Sequence, residues 1–280
     1  MEHWERDGLV LDVRESGPDD GEVVVCLHGF PQDGEAFGAV APRLAREGLR
    51  VLVPDQRGYS PGARPPGRRP YRLHEAVADV LALLDAAGAA SAHVVGHDWG
   101  GFVAWALAAQ HPQRVRSVTV LSTPHPRAVT SVLPRSTQVL RSSYMAFLQL
   151  PRLPEALLLG GGGRRLRRLL VRGGLPQHLA ERYAQRMLEP GALTAALGWY
   201  RALPLGTGLR VGPVRVPTTF LWGRRDPSFA PAAVRGTRAL VQGPASGQGL
   251  DVGHWLPELA PEEVAAAVLA GVRAAGGRPS

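Results

Sequence analysis

Four short segments carry residues whose types and spacing could do chemistry. The stretch VVGHDWGGF, from Val94 to Phe102, sets Asp98 between Gly96 and Gly100 where an apolar strand gives way to a helical pattern. Small residues on both flanks permit a tight turn that lifts the central side chain above the carboxyl end of a sheet. A carboxylate there is ionised at neutral pH and needs no base at the moment of attack, unlike a serine hydroxyl. The same aspartate could instead cap the helix that follows it. His28-Gly29-Phe30-Pro31 directly follows a second apolar run. A loop in that place can offer a backbone N–H to a developing oxyanion, with the partner N–H coming from the residue after the nucleophile, Trp99. Trp222-Gly223-Arg224-Arg225-Asp226 and Asp251-Val252-Gly253-His254-Trp255 complete the set. Taken singly, Asp226 reads as a turn residue before Pro227 and His254 as a packed or surface histidine. The chain order Asp98, Asp226, His254 is that of nucleophile, acid and histidine, and the order argues for chemistry.

The elements that must position these residues follow from periodicity. Val23 to Leu27, Leu49 to Val53, Ala92 to Gly96, Val115 to Leu121 and Thr218 to Trp222 are short apolar runs of strand type. Between them, residues 35–47, 72–87 and 102–110 have helical spacing, and a long helix is expected over Pro261 to Ala275. Such alternation implies βαβ units, a mostly parallel sheet and helices on both faces. From about Ala128 to Leu209 strand-like runs vanish, and Pro, Gly and Arg punctuate leucine-rich helical stretches. The chain therefore divides into a core of residues 1–127 and 210–280 and a helical cap of residues 128–209. The final residues, GGRPS, are expected to fray.

Composition narrows the function classes. A chain of 280 residues with 45% apolar and 20% charged residues is expected to be globular and to hold a large core. No basic n-region and apolar h-region opens it, no run approaches the length of a membrane span, and one cysteine, Cys26, cannot form an internal disulfide. The expected compartment is the cytoplasm. The net charge of +8 comes entirely from arginine, with no lysine, beside heavy use of Ala, Gly and Pro. That pattern reads as genomic composition more than as a nucleic-acid surface. The densest basic cluster, Arg164, Arg165, Arg167 and Arg168 after the GGGG run, reads as a solvated helix face; the alternative is a patch for a polyanion or a membrane surface. Neither a Cys/His ligand cluster nor a glycine fingerprint is present, so no metal or organic cofactor is expected.

Together the blocks HGFP, DQRGYS, GHDWGG, TPHPRA, WGRRD and GHWLPE resemble those of the epoxide hydrolases of the α/β-hydrolase superfamily, over nearly the whole chain. The resemblance implies an α/β-hydrolase fold with an inserted helical cap and a small-molecule epoxide as substrate. It implies that Asp98 opens the epoxide to an alkyl ester and that His254, oriented by Asp226, activates water to release a vicinal diol. Phe30 and Trp99 would form the oxyanion hole. Tyr144, in Ser143-Tyr144-Met145, and Tyr200, in Gly198-Trp199-Tyr200-Arg201, resemble the two cap phenols that bind the epoxide oxygen. His28, Pro31, Trp199 and Trp255 are expected along the substrate pocket. Phe37 departs from the family, where tryptophan is more usual, and the GGGG segment with its arginines has no assigned role.

Two other readings fit part of the pattern. A haloalkane dehalogenase shares the aspartate and a following tryptophan, but needs a second halide-binding N–H. That N–H often comes from an asparagine, where this chain has Phe30, or from a cap tryptophan, where the sole candidate, Trp199, lies in the block that resembles the second tyrosine's. A non-catalytic binding protein of the same fold has no need for Asp98, Asp226 and His254 together.

Overall fold

The computed structural model describes residues 1–205 and 211–276. The expected return to the core at residue 210 falls outside the described residues, as do residues 277–280 of the tail expected to fray.

Eight strands form one sheet: β1 (His3–Arg6), β2 (Leu9–Ser16), β3 (Val23–Leu27), β4 (Arg50–Pro54), β5 (Ala92–His97), β6 (Val115–Leu121), β7 (Thr218–Gly223) and β8 (Ala245–Leu250). Their order across the sheet is β1-β2-β4-β3-β5-β6-β7-β8. β2 is antiparallel to both its neighbours, and every pairing from β4 to β8 is parallel. β3 and β5 are buried along their whole length, as central strands covered on both faces must be. Side chains alternate between two cores. Val23, Val25 and Leu27 point to the face covered by α2 (Leu73–Ala86) and α3 (Trp99–Gln110). Val24 and Cys26 point to the face covered by α1 (Ala41–Arg46) and α13 (Pro261–Ala274). Burial pushes the Cys26 thiol far above its ordinary pKa.

The helical spacing over residues 35–47 resolves into two pieces, a 3₁₀ turn at Gly34–Phe37 and the six-residue α1. Pro42 explains the division: it sits in the first turn of α1, where a missing N–H costs nothing, and could not continue a longer helix. Between β6 and β7 every described helix belongs to an insertion: α4 (Pro126–Val132), α5 (Gln138–Arg141), α6 (Tyr144–Leu148), α7 (Leu153–Leu158), α8 (Arg164–Arg172), α9 (Gln177–Arg186) and α10 (Ala192–Ala202). In α8, Leu166 and Leu170 turn inward while Arg164, Arg165 and Arg168 are exposed, and Arg167 pairs with Glu181. The cluster is a solvated face. α11 (Pro231–Thr237) and α12 (Leu256–Leu259) complete the core. No helix among the described residues is long and apolar enough to cross a membrane.

Candidate active site

The elbow between β5 and α3 is built by close backbone approach. A Cβ at Gly96 would come within 2.3 Å of the Gly100 carbonyl oxygen, and one at Gly100 within 2.2 Å of the Leu27 oxygen. Only glycine lets β5, β3 and the start of α3 meet so tightly. Asp98 at the apex has φ 51° and ψ −117°, a conformation a side chain rarely adopts. Its carboxylate makes no capping bond to α3. It is turned instead toward the loop after β3, where the Phe30 N–H donates to Oδ1 at 2.9 Å. That loop is close because residue 29 is glycine, since a Cβ there would strike the Asp98 side chain at 2.3 Å. Trp99, the first residue of α3, has one of the first-turn N–H groups that no intrahelical acceptor serves.

Two further residues of the site, Asp226 and His254, follow the ends of β7 and β8. His254 Nδ1–H donates to Asp226 Oδ2 at 2.7 Å, and His254 Nε2 stands 3.6 Å from Asp98 Oδ2. Asp226 is held by the Ser228 N–H, which donates to Oδ1 at 2.7 Å. The His254 backbone carbonyl accepts from Ser122 Oγ at 2.7 Å and faces His97 Nε2 at 2.9 Å. The electrostatics follow from this crowding. Burial opposes charge on His254, but Asp226 and then Asp98 outweigh it and push its pKa up to about 10. Burial likewise disfavours the Asp98 and Asp226 carboxylates. The His254 charge and hydrogen bond outweigh it in both, aided at Asp98 by His97 and the Phe30 N–H, and both stay below the usual carboxylate range.

Above Asp98 lies a cavity of about 220 Å³. Asp98, Trp99 and Phe102 border it from the core, Ser228 and Phe229 from the loop after β7, and Tyr144, Met145 and Tyr200 from the cap. The rings of Tyr144 and Tyr200 meet edge to face with centroids 6.1 Å apart, and Tyr200 also packs edge-on against Phe30 and Trp99. Burial raises the Tyr200 phenol above its ordinary pKa, with Tyr144 and the Asp98 charge adding to the effect. Tyr144 is 46% exposed overall, but it borders the cavity, and its phenol is raised by desolvation there and by the Asp98 charge. The structure therefore brings Asp98, Asp226, His254, Phe30, Trp99, Tyr144 and Tyr200 to one place.

The four residues expected along the pocket are placed differently, and none borders this cavity. His28 is fully buried, its Nδ1 bonded to the Gly29 carbonyl and its Nε2 accepting from the Gln56 N–H at 3.0 Å. Pro31 is buried in the same loop. Trp199 Nε1–H donates to the Arg57 carbonyl at 2.8 Å, which places the indole behind Trp99 and away from the opening. Trp255 Nε1–H donates to the Gly173 carbonyl at 2.9 Å and lies edge-on to His254. In His28, Trp199 and Trp255 the ring N–H has found a carbonyl, as most buried indole and imidazole groups do. Sequence reasoning did not anticipate the walls that take their place, Phe102, Val129, Leu133, Met145 and Phe229, because apolar residues scattered over α3, the inserted helices and the loop after β7 carry no local mark of a pocket. It also passed over His97 and Ser122. A histidine at the end of a fully buried strand was the available signal.

Among the described residues no group of three or more His, Cys, Asp or Glu side chains could hold a metal ion.

A family model described as the alpha/beta hydrolase fold matches residues 22–261. The chain is 33% identical to Epoxide hydrolase A of Mycobacterium tuberculosis, the match covering 94% of each chain. It is 36% identical to the AB hydrolase superfamily protein YfhM of Bacillus subtilis over 78% of this chain and 79% of that one. Among solved structures, Epoxide Hydrolase A from Mycobacterium thermoresistibile superposes with a TM-score of 0.82 at 27% identity, covering 97% of each chain.

Proposed function

Because the chain belongs to the epoxide hydrolase family of the α/β-hydrolase superfamily, we propose that it converts a small-molecule epoxide and water to a vicinal diol through an ester on Asp98. The observation that carries this reading is the cavity bordered at once by the Asp98 carboxylate and by two protonated phenols. Asp98 displaces the ring oxygen from one carbon, and the electron pair of the broken C–O bond goes to that oxygen. A halide leaving group would need only N–H groups to solvate it. An epoxide oxygen stays attached as an alkoxide and needs a proton, which Tyr144 or Tyr200 can donate. The raised phenol pKa values keep both donors protonated at neutral pH, and an alkoxide is still the stronger base. The phenolate then recovers its proton from solvent.

The second half-reaction explains why His254 stands between two carboxylates. At rest it is an imidazolium, held charged by Asp226 and Asp98. Esterification removes the Asp98 charge, so one of the two influences raising its pKa disappears. The imidazolium can then release its proton and act as a base on water. Water adds to the carboxyl carbon of Asp98, and the oxyanion is met by the Phe30 and Trp99 N–H groups, one such donor being worth about 10²–10³ in rate. Collapse expels the diol oxygen, which takes the proton from His254 and leaves Asp98 as a carboxylic acid. That acid passes its proton to His254, which restores the resting pair. In this scheme residues 128–209 act as the cap that carries both phenols, and residues 1–127 with 210–280 carry the triad.

A single turnover in ¹⁸O water tests the reading. The first diol carries unlabelled oxygen from Asp98, and the label enters the carboxylate. Label delivered directly to the first diol would mean that water attacks the epoxide itself, and bromide release without epoxide opening would replace the reaction with dehalogenation.

A further inference from the structure

Behind the triad lies a buried carboxyl group that this mechanism leaves unused. Glu258 stands in α12, four residues after His254. Its Oε1 accepts two hydrogen bonds, from Gln32 Nε2 at 2.7 Å and from the Tyr183 hydroxyl at 3.0 Å. Its Oε2 is buried and has no hydrogen-bond partner among the described residues. Burial pushes the carboxyl pKa up to about 7 against the pull of both donors. A half-satisfied carboxyl group weakens a fold, where an apolar side chain of similar shape would cost less. Packing alone does not account for it.

Its two donors lead to different parts of the site. Gln32 sets its own Oε1 against the Gly29 N–H at 2.9 Å and His97 Nδ1 at 2.8 Å. Gly29 precedes Phe30, whose N–H meets the Asp98 carboxylate. His97 Nε2 in turn reaches the backbone carbonyl of His254. Tyr183 belongs to α9 of the cap and is fully buried. We propose that Glu258 is a positioning residue for the reaction: by holding Gln32 it fixes the Phe30 loop against Asp98 and, through His97, the backbone of His254, while Tyr183 seats the cap on the same junction. The role deepens the hydrolase reading above and rests on it.

A count of protons supports the link. Both His97 nitrogens face oxygen atoms, but a neutral imidazole carries one N–H. Burial, then the His254 charge, pushes the His97 pKa down to about 4. One of its two contacts therefore lacks a proton as long as the Gln32 amide keeps its oxygen toward His97. Turning the amide over would satisfy His97 but take the acceptor from the Gly29 N–H and set oxygen against Glu258 Oε1. The orientation of Gln32, and with it the loop that meets Asp98, is decided by what stands at position 258.

Glu258→Leu and Glu258→Gln, each in the full chain, test this with two readouts. One is steady-state kinetics on an epoxide that the parent turns over; the other is the ring NMR signals of His97 and His254, which need no activity. Glu258→Leu should lower kcat about ten-fold, as small misplacements of reacting groups do, with KM changed less than about two-fold. It should also shift both histidine signals. Glu258→Gln keeps the Oε1 acceptor and should recover most of the loss. Parent-like kcat and unmoved signals in Glu258→Leu overturn the proposal. If the parent opens no epoxide, the activity reading fails by itself, and the histidine signals still decide the positioning role. If Glu258→Leu does not fold, Gln32→Leu removes the intermediate amide and must show the same kcat loss and signal shifts; parent-like behaviour there overturns the proposal.

Discussion

The two ends of the cap are held to the core in very different ways, and each carries one of the two phenols. α10, which bears Tyr200, is buried along nearly its whole length, and Trp199 beside it is pinned to the Arg57 carbonyl. The neighbouring α9 is bound by charge: Arg182 pairs with Asp33, and Arg186 with Asp55 at 2.7 Å and with Asp33 at 3.5 Å. Tyr183 adds its bond to Glu258. The α5–α6 end, which bears Tyr144, buries only Gln138 and Leu148 within its helices. Leu140 there is 72% exposed and Tyr144 46%. Its ties to the core are Gln138, bonded to Ser228 and Ala230, and Arg141, bonded to the Pro227 carbonyl. The difference separates a fixed phenol from a lightly held one. Fewer bonds tie the Tyr144 side to the core than tie the Tyr200 side.

The largest effect should come from removing both donors. Tyr144→Phe with Tyr200→Phe should slow alkylation of Asp98 by about 10³, within the range expected for a positioned proton donor, read as ester formation by rapid-quench mass spectrometry. An unchanged rate would reduce both residues to cap packing. Next, Arg186→Met should break the anchored end. It leaves the nearly buried Asp33 and Asp55 carboxylates short of a partner, and the loss should be about 3 kcal/mol of stability in urea unfolding. A loss below about 0.5 kcal/mol, the level of an ordinary surface change, would mean that charge does not hold α9. Third, the single mutants should rank. Tyr200→Phe should reduce kcat by about ten-fold and Tyr144→Phe by less, because a fixed donor loses nothing to disorder before it acts. The reverse order would place the main donor on the lightly held end. The smallest effect is expected for Leu140→Ser, within about 0.5 kcal/mol in unfolding, since its side chain already meets water.

How much of this was legible beforehand depends on burial. β3 coincides residue for residue with the apolar run at Val23–Leu27, because a strand covered on both faces shows an unbroken signal. β6 coincides with Val115–Leu121 as well, its apolar residues outweighing Arg116, Ser117 and Thr119. β8 escaped notice: in Ala245–Leu250 only the last two residues are buried, and its serine, glycines and glutamine mimic a loop. β1 and β2 escaped notice too, although Asp7-Gly8 between them, both at positive φ, is the usual turn of a tight hairpin. Asp98, Asp226 and His254 could be picked out as a set because each lies in a short motif at a strand end, and chain order restricts where such motifs fall. The pocket could not. Trp199 and Trp255 find their carbonyls on residues far away in sequence, and no local pattern records that.

The burial of Cys26 has a practical consequence. Its thiol lies between β3 and the helices on one face of the sheet, with its ionisation suppressed by the surrounding apolar side chains. Thiolate is the species that reacts with maleimides, so the native chain is silent to thiol labelling while it stays folded. A single cysteine introduced at the surface of α5, and another at the surface of α9, can each carry a dye without first removing the native one. The distance from each dye to a fixed acceptor in the core would then follow the two ends of the cap separately, in one molecule at a time, as a small molecule enters and leaves the cavity.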